Sequence, residues 1–473
     1  MPSFKDLLAK HGKDYDKIIS ELTKDTIDDR KTEEYIDEYK GKRERRSKSV
    51  GKRENKIIGE GTDKKIVEVA KLVFNFPKKI VRTAVAFCVG GDMVVSSGGD
   101  ADDAFNLFKT TWEKKLKMKN NIKKFVRTVM IETKAALLFY PITEGEEDDK
   151  VMGLRVSLLD SESGEFYPHF DKYKDMDAFT RRYKTKNEDD KDVTVVEVYT
   201  AEQITTFTKE SGDYQMTAKK NLFGKIPVVY AEQSQPEWED IVTLMDAFEM
   251  RLSRLADSND YFAEPLLKLF GEVESLPGKD KVGKMVKFKM EKNLSGDGKV
   301  SHGDAEYLTW DQMPDSTKLE LEQLWNGIFS MTSTPDLSFD NVKGIGANLS
   351  GIALKMMFLD ALLKAQENQE TFGEAIQRMV SVVIAGIGYW ESKYKKDLEE
   401  ADIEVKHNDP IPDDLKEWLE SLGQAKADGV MSLETIIDNN PLAKDKKKEL
   451  ESIRKEQQSN ASREGDTIIG SQE

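Results

Sequence analysis

The sequence predicts an α+β protein, and three observations carry the prediction. Residues 137 to 230 break into short runs rich in β-branched and aromatic residues, separated by acidic or glycine-bearing turns. From Pro236 onward, and again from about Asp315, apolar residues recur at helical spacing. A third helical pattern, from about Ser350 to Lys395, follows a segment punctuated by glycines.

Composition narrows the class. The chain has 473 residues, 34% charged and 38% apolar, enough to bury a sizeable core and to divide into several regions. Its longest apolar stretch, Met379 to Trp390, is too short to span a bilayer, so no membrane partner is expected. The N-terminus shows no basic segment followed by an apolar core, so no secretory signal is expected. A lone cysteine, Cys88, excludes an intramolecular disulfide and reads as a buried small hydrophobe. The net charge of −16 disfavours a protein that wraps nucleic acid with a basic surface; any DNA contact must be sparse.

Along the chain, residues 4 to 40 carry scattered apolar positions at helical spacing with heavy charge, which predicts one or two surface helices. Lys42 to Arg53 is a basic run against the acidic trend, read as a solvated linker or, alternatively, a phosphate-facing patch. Residues 64 to 138 read as mostly helix, with short apolar strands near Val81 to Val95 and a turn at Gly90-Gly91. Strands are expected at Ala136 to Tyr140, Leu154 to Leu159, Val193 to Tyr199 and Ile226 to Tyr230, as in an antiparallel meander.

After Pro236, the residues Trp238, Ile241, Val242, Met245, Phe248, Leu252 and Leu255 form one stripe; a helix over 236–261 would be about 39 Å long. Pro265, Gly271 and Gly278 interrupt it, and Met285 to Met290 alternates like an exposed strand. A second amphipathic helix, with Asp315 as a candidate N-cap, places Leu321, Leu324, Trp325, Ile328 and Phe329 on one face. Thr334 to Asn348 has the composition of a flexible loop, and the helix after it is apolar almost all round, which requires protein on several sides. A strand at Asp402 to Lys406 and two short helices split by Gly429 follow, with a polar tail from about Glu456 expected to be disordered.

Catalytic chemistry is not indicated. The four histidines stand far apart, so no metal site is expected. Gly278 to Lys284 nearly matches a phosphate-binding loop, but Met285 stands where a hydroxyl must hold magnesium, and no strand precedes it. Asp100, Asp102 and Asp103 suggest a calcium loop, yet Thr111 occupies the position of the closing glutamate. No catalytic residue, metal or cofactor is assigned.

The order of these parts, together with local motifs, resembles the portal proteins of tailed bacteriophages. Asn221-Leu-Phe-Gly-Lys-Ile-Pro-Val-Val229 resembles the strand leading into that family's first stem helix, Ala305-Glu-Tyr-Leu-Thr-Trp310 the exit from its clip, and Ser333-Thr-Pro-Asp336 the end of its second stem helix. Asn348-Leu-Ser-Gly-Ile-Ala-Leu-Lys355 is close to the family's Ser-Gly-x-Ala-Leu-Lys pattern, and Val430-Met-Ser-Leu-Glu-Thr435 resembles its crown. The resemblance implies an N-terminal helical and basic arm (1–55), a wing (56–235), a first stem helix (236–262), a clip (263–312), a second stem helix (313–332) and a tunnel loop (333–348). It further implies a long wing helix (349–397), a wing strand and turn (398–412), a crown (413–455) and a tail (456–473).

The same resemblance implies a non-enzymatic subunit of a homododecameric ring in the virion, assembled in the host cytoplasm. The ring would pass double-stranded DNA and meet the large terminase subunit, the major capsid and scaffolding proteins and head-to-tail adaptors. Asn341, Lys343, Gly344, Gly346 and Asn348 are the expected tunnel-loop residues facing DNA. Lys279, Lys281, Lys284, Lys287 and Lys289 are the expected docking positions on the clip. Trp238, Met245, Phe248, Leu252, Leu324, Trp325 and Ile328 are expected to pack the stem. The rival reading from another class is an intracellular helical adaptor that forms no ring.

Overall fold

The computed structural model describes residues 3–24, 29–44, 48–58, 64–98, 103–144, 151–262, 266–270, 273–275, 287–288, 304–308, 314–336, 356–408, 415–440, 442–443, 446 and 448–456. Two units are distinguished by their internal packing: Met1–Thr334 with Lys364–Asn408, and Pro335–Leu363 with Asp409–Glu473.

The first unit opens with three helices, α1 (Phe4–His11), α2 (Tyr15–Leu22) and α3 (Asp29–Tyr39). Ser3 caps α1 by accepting from the Asp6 amide while the Asp6 carboxylate accepts from the Ser3 amide, so two orphan donors are satisfied reciprocally. They are surface helices, three where one or two are expected, and α1 and α2 seat one face on the body. Phe4, Leu7, Ile18, Ile19 and Leu22 are buried against Ala178, Val196, Val198 and Phe207 of a sheet, each burial stabilising by roughly 1.5–3 kcal/mol.

That sheet is an antiparallel meander of five strands in the order β10-β9-β8-β7-β6: β6 (Glu165–Phe170), β7 (Met176–Lys186), β8 (Asp192–Tyr199), β9 (Gln203–Lys209) and β10 (Gln215–Lys220). A separate three-stranded sheet, β11-β4-β5, joins β4 (Lys134–Glu144), β5 (Val151–Leu159) and β11 (Val228–Glu232). The four strand signals therefore belong to two sheets rather than one meander. β7 and β9 give weaker signals because they carry Lys, Arg and Thr on their less buried positions, β10 is exposed throughout, and Pro168 interrupts β6.

Val81 to Val89 is helical, not extended: α4 runs Phe76–Val89. Asn75 caps it by accepting from the Lys78 amide, Pro77 stands in its first turn, and Ile80, Val81, Ala84, Val85, Cys88 and Val89 are buried at helical spacing. Packing overrides the β-propensity of the valines. The strand begins after the turn, as β3 (Met93–Ser97), and pairs with β16 (Ile403–His407). Gly91 is required there, because a Cβ would lie 1.7 Å from the Asn408 carbonyl oxygen.

α5 (Asp103–Thr110) and α6 (Met118–Glu132) complete this core with α4; the Asp103 position is thus helical, not part of a metal loop. Two short strands, β1 (Lys56–Ile58) and β2 (Lys65–Val67), form a ladder of their own. The helix α7 (Val242–Phe262) begins after a tight turn over Glu239–Ile241, and α8 (Pro314–Met331) returns beside it. Between them lie two small antiparallel ladders: β12 (Leu266–Phe270) pairs with β15 (Asp304–Leu308), and β13 (Val273–Ser275) with β14 (Lys287–Phe288). α9 (Leu359–Trp390) and α10 (Lys395–Glu400) precede β16. Residues 364–390 of α9 bury Phe372, Ile376, Met379, Val380, Val383 and Ile387 in the main core.

In the second unit, α11 (Leu415–Ala427) and α12 (Leu433–Asp438) are separated by a turn with Gly429 at positive φ. Ser432 caps α12 by accepting from the Thr435 amide, and the Trp418 indole donates to the Asn439 carbonyl. Of the tail expected to be disordered from about Glu456, residue 456 is helical and 457–473 lie outside the described residues.

Candidate functional site

The candidate site is the helix pair α7–α8 with the segments laid against it. The two helices run antiparallel in a fixed register: Arg251 Nε lies 2.9 Å from Glu320 Oε1, and Gly327 faces Leu244 closely enough that a Cβ would sit 3.4 Å from it. Met245, Phe248, Ile328 and Phe329 are buried between them and the body, with Leu252, Leu324 and Trp325 half-buried against the same core. Phe74, Phe76, Phe248, Trp325 and Phe329 form an aromatic cluster with centroids 4.8 to 6.4 Å apart, and Lys79 Nζ lies 4.1 Å from the Phe329 ring centre. Trp238 stands before α7, fully buried, its indole donating to Glu38 over 2.8 Å beside Tyr35 and Tyr39.

The flank of α7 beside this stripe is polar, and the chain binds it. Glu249, Ser253 and Asp257 recur at every fourth position, about 6 Å apart along a helix. Alternate amides of the extended segment 70–74 lie about 6.6 Å apart, which matches that step. Phe74 N–H accordingly donates to Glu249 (2.9 Å), Leu72 N–H to Ser253 Oγ (2.9 Å) and Ala70 N–H to Asp257 (2.7 Å). A helix side-chain row thus serves as a strand partner.

Two arginines of the basic run close this strap. Arg43, 3% exposed, donates to Asp246, to Glu249 Oε2 (3.0 Å) and faces Glu38 (3.7 Å). Arg53 pairs with Asp257 over 2.5 Å and donates to the Ala70 carbonyl. Arg43 and Arg53 are therefore neither linker cations nor phosphate contacts; a helix carrying several acids on one face had to be neutralised. Burial pushes the Glu249 carboxyl up to about 7, although Arg43 and the Phe74 amide oppose the rise. For Asp257 burial raises, but the Ala70 amide and Arg53 outweigh it, and its carboxyl sits below the usual range.

At the far end of α8, Lys364 donates to the Thr332 carbonyl (3.1 Å) and pairs with Glu237 (2.6 Å). The chain on either side of the expected tunnel loop is thereby held together. Asn341, Lys343, Gly344, Gly346 and Asn348 lie outside the described residues, as do Lys279, Lys281, Lys284 and Lys289 and the loop at 278–284. Lys287 lies in β14, paired opposite Ser275.

The strap residues carry no family motif. Their only sequence signal is the spacing of Glu249, Ser253 and Asp257 beside an apolar stripe, which reads equally as a solvated helix face. Among the described residues no group of His, Cys, Asp and Glu is placed to hold a metal, and no helix is long and apolar enough to cross a membrane. The buried Cys88 thiol is pushed up to about 12 by burial, far from a reactive thiolate.

Solved structures with a similar chain course include the neck of an empty GTA particle computed with C6 symmetry (TM-score 0.38, 9% identity, 76% of this chain and 87% of that one). Others are the virion of a native gene transfer agent particle (0.36, 9%, 76% and 88%) and the neck of a native GTA particle computed with C12 symmetry (0.35, 10%, 78% and 91%). No curated protein matches the chain. The family model described as "Phage portal protein, SPP1 Gp6-like" matches residues 17–463, nearly the whole sequence, and the chain belongs to that phage portal family.

Proposed function

We propose that this portal protein assembles into a homododecameric ring at one capsid vertex, through which double-stranded DNA enters during packaging and leaves on ejection. The observation that carries the reading is the family match over 17–463. Under this reading α7 and α8 are the stem, the paired ladders β12–β15 and β13–β14 belong to the clip, and residues 333–348 form the tunnel loop. The clip lysines 279, 281, 284, 287 and 289 then contribute to docking of the large terminase subunit and, later, of head-to-tail adaptors. The major capsid and scaffolding proteins are the expected partners of the outer body, in a particle assembled in the host cytoplasm.

Charge supports a sliding channel. Each phosphate neutralised by a fixed lysine adds to the hold on DNA, so a passage must keep basic contacts few. A net charge of −16 meets that requirement, and Lys343, repeated once per subunit, is the cation assigned to the tunnel loop. The protein performs no hydrolysis in this scheme; the motor docked on it supplies that chemistry.

The test is negative-stain imaging of the purified protein followed by DNA packaging with Lys343→Glu. Rings with a central hole, and a variant that assembles normally but packages or retains DNA abnormally, are expected. A monomer at every concentration would favour the adaptor reading, and loss of assembly with normal packaging by the remaining rings would remove Lys343 from the channel.

A further inference from the structure

Between Lys109 and Arg127 the chain carries eight lysines and arginines and one acid, Glu113, inside a protein of net charge −16. This run forms the corner where α5, a single π-helical turn over Thr111–Lys115 and α6 meet. Trp112, Leu116, Met118 and Ile122 turn inward to the core, which leaves the cations outside. Lys114, Lys115, Lys117 and Lys124 are exposed and Arg127 is half-buried, and none of the five has an ion-pair partner among the described residues. Lys119 and Lys123 complete the face: Lys119 holds Asp92 over 2.7 Å, and Lys123 donates to the Gly90 carbonyl over 2.8 Å.

The fold does not ask for these charges. Lys117 stands in the left-handed region, at φ 50°, where a side chain is disfavoured and glycine is at ease. It and Lys119 open α6 with no acid in the first turn, against the helix dipole. Lys119, Lys123 and Arg127 recur at every fourth position, a like-charge row that weakens a helix on its own. The repulsion is felt within the row: burial first, then Lys119 and also Arg127 pull the Lys123 ammonium below the usual lysine range, with Asp92 opposing. Cations that cost the helix and bind nothing in the subunit are accounted for by an anion from outside.

The composition of the corner selects that anion. Every exposed residue from 109 to 127 is Lys, Thr, Asn or Glu, so a protein partner finds no apolar or aromatic anchor. Trp112 is wholly buried, so no ring is offered on which an unpaired base could stack. A field of lysine point charges with neither feature suits the regular phosphates of a duplex, contacted without reading sequence. Acids elsewhere in the protein do not cancel it, because at about 0.1 M salt exposed charges are screened beyond about 10 Å. We infer that the α5–α6 corner is a second contact for double-stranded DNA, its phosphate backbone held by Lys114, Lys115, Lys117, Lys124 and Arg127. The choice of DNA rests on the proposed function, which brings DNA to this protein, but the contact belongs to neither the helix pair nor the tunnel loop. It can therefore be firm where contacts in the passage must be few.

The experiment measures binding of a fluorescent duplex of random sequence to the full-length protein by anisotropy, at salt concentrations from about 50 to about 200 mM. Lys114→Gln, Lys115→Gln and Lys124→Gln together remove three exposed cations and no ion pair. Affinity at the lowest salt is expected to fall at least about tenfold, and the slope of log K against log salt to shrink by about 3, near one per lost phosphate contact. The same three positions changed to Arg are expected to bind as wild type does. Lys184→Gln, Lys219→Gln and Lys220→Gln, at exposed positions of the five-stranded sheet, make the same charge change and are expected to leave the slope unaltered. Wild-type protein that does not bind the duplex at the lowest salt overturns the inference, as does a sheet variant that loses as much as the corner variant. Polyglutamate of equal charge bound as tightly as the duplex would assign the corner to an acidic protein and overturn it too. If Lys343→Glu abolishes binding and the corner variant does not, DNA is held in the channel alone, which removes the inference and leaves the channel reading standing. Binding through the corner by a protein that never forms rings does the reverse.

Discussion

Arg43→Ala tests whether the buried ion cluster holds the N-terminal arm to α7. The arginine is the cation among Glu38, Asp246 and Glu249, and both it and Glu249 are almost wholly removed from solvent. Removing one partner of a buried pair strands the others, at a cost of roughly 3–5 kcal/mol. At about 1.4 kcal/mol per tenfold, local opening of the strap becomes roughly 10² to 10³ times more frequent. Part of this loss can be relieved by protonation, because burial already holds Glu249 at about 7 and the loss of Arg43 raises it further. The effect is therefore smallest below pH 7 and grows above it, where the orphaned group must carry charge. Hydrogen exchange read by mass spectrometry over residues 36–44 and 68–76, at pH 6 and pH 8, measures the change after correction for intrinsic exchange. Protection equal to wild type at pH 8 would show that the cluster does not hold the arm.

Glu249→Gln isolates the proton. Burial pushes the folded carboxyl up to about 7 from an ordinary 4.5, so the native state binds the extra proton between these values, and stability falls as pH rises through that window, by up to about 3 kcal/mol. Urea midpoints from pH 4.5 to 7.5 should decline in wild type and lose that component in the variant; an unchanged slope would assign it elsewhere. Gly91→Ala drives a Cβ onto the Asn408 carbonyl and should separate β3 from β16, destabilising by about 1–3 kcal/mol or more, as a lower melting temperature reports.

How far the sequence discloses this fold depends on whether a residue's partner is solvent, core or another polar group. Met245, Phe248, Ile328 and Phe329 show in the helical period because they face the core, and periodicity reports that face. β4 shows because Ala135 to Phe139 are buried on both of its faces, and β5 because Leu154 and Leu159 are buried. α4 misleads: its valines satisfy strand statistics, and only the Asn75 cap with Pro77 signals a helix start. α1 and α2 are legible as helices, since Leu7, Ile18, Ile19 and Leu22 recur at helical spacing; what the sequence does not show is the sheet on which they sit.

The strap is illegible for a deeper reason. Each of its bonds joins a side chain of α7 to a backbone amide, and amides are the same in every sequence. Glu249, Ser253 and Asp257 could be solvent-facing residues on any surface helix; the segment 70–74 is recognisable only as extended chain. Arg43 and Arg53 lie in a basic run whose charge, taken alone, suggests a phosphate partner. What decides otherwise is the acid count on the facing helix, more than 190 residues away in the chain.

The same strap sets what α7 can do in an assembly. A helix with an apolar stripe and unneutralised acids beside it would repel acidic neighbours and present hydrogen-bonding groups without partners. With Arg43, Arg53 and three amides in place, the acids are spent within the subunit, and Asp257 becomes the point from which the β1–β2 ladder is displayed. Lys56 and Arg254 stand near that display, but Glu68 and Asp260 share the same lining, so the groove beside the ladder carries both signs. The ladder is held through Asp257 and the strap rather than through its own exposed side chains. Arg53→Ala should accordingly raise hydrogen exchange over residues 56–58 and 65–67 while the α7–α8 aromatic cluster stays protected, and unchanged exchange in the ladder would show that Asp257 does not anchor it.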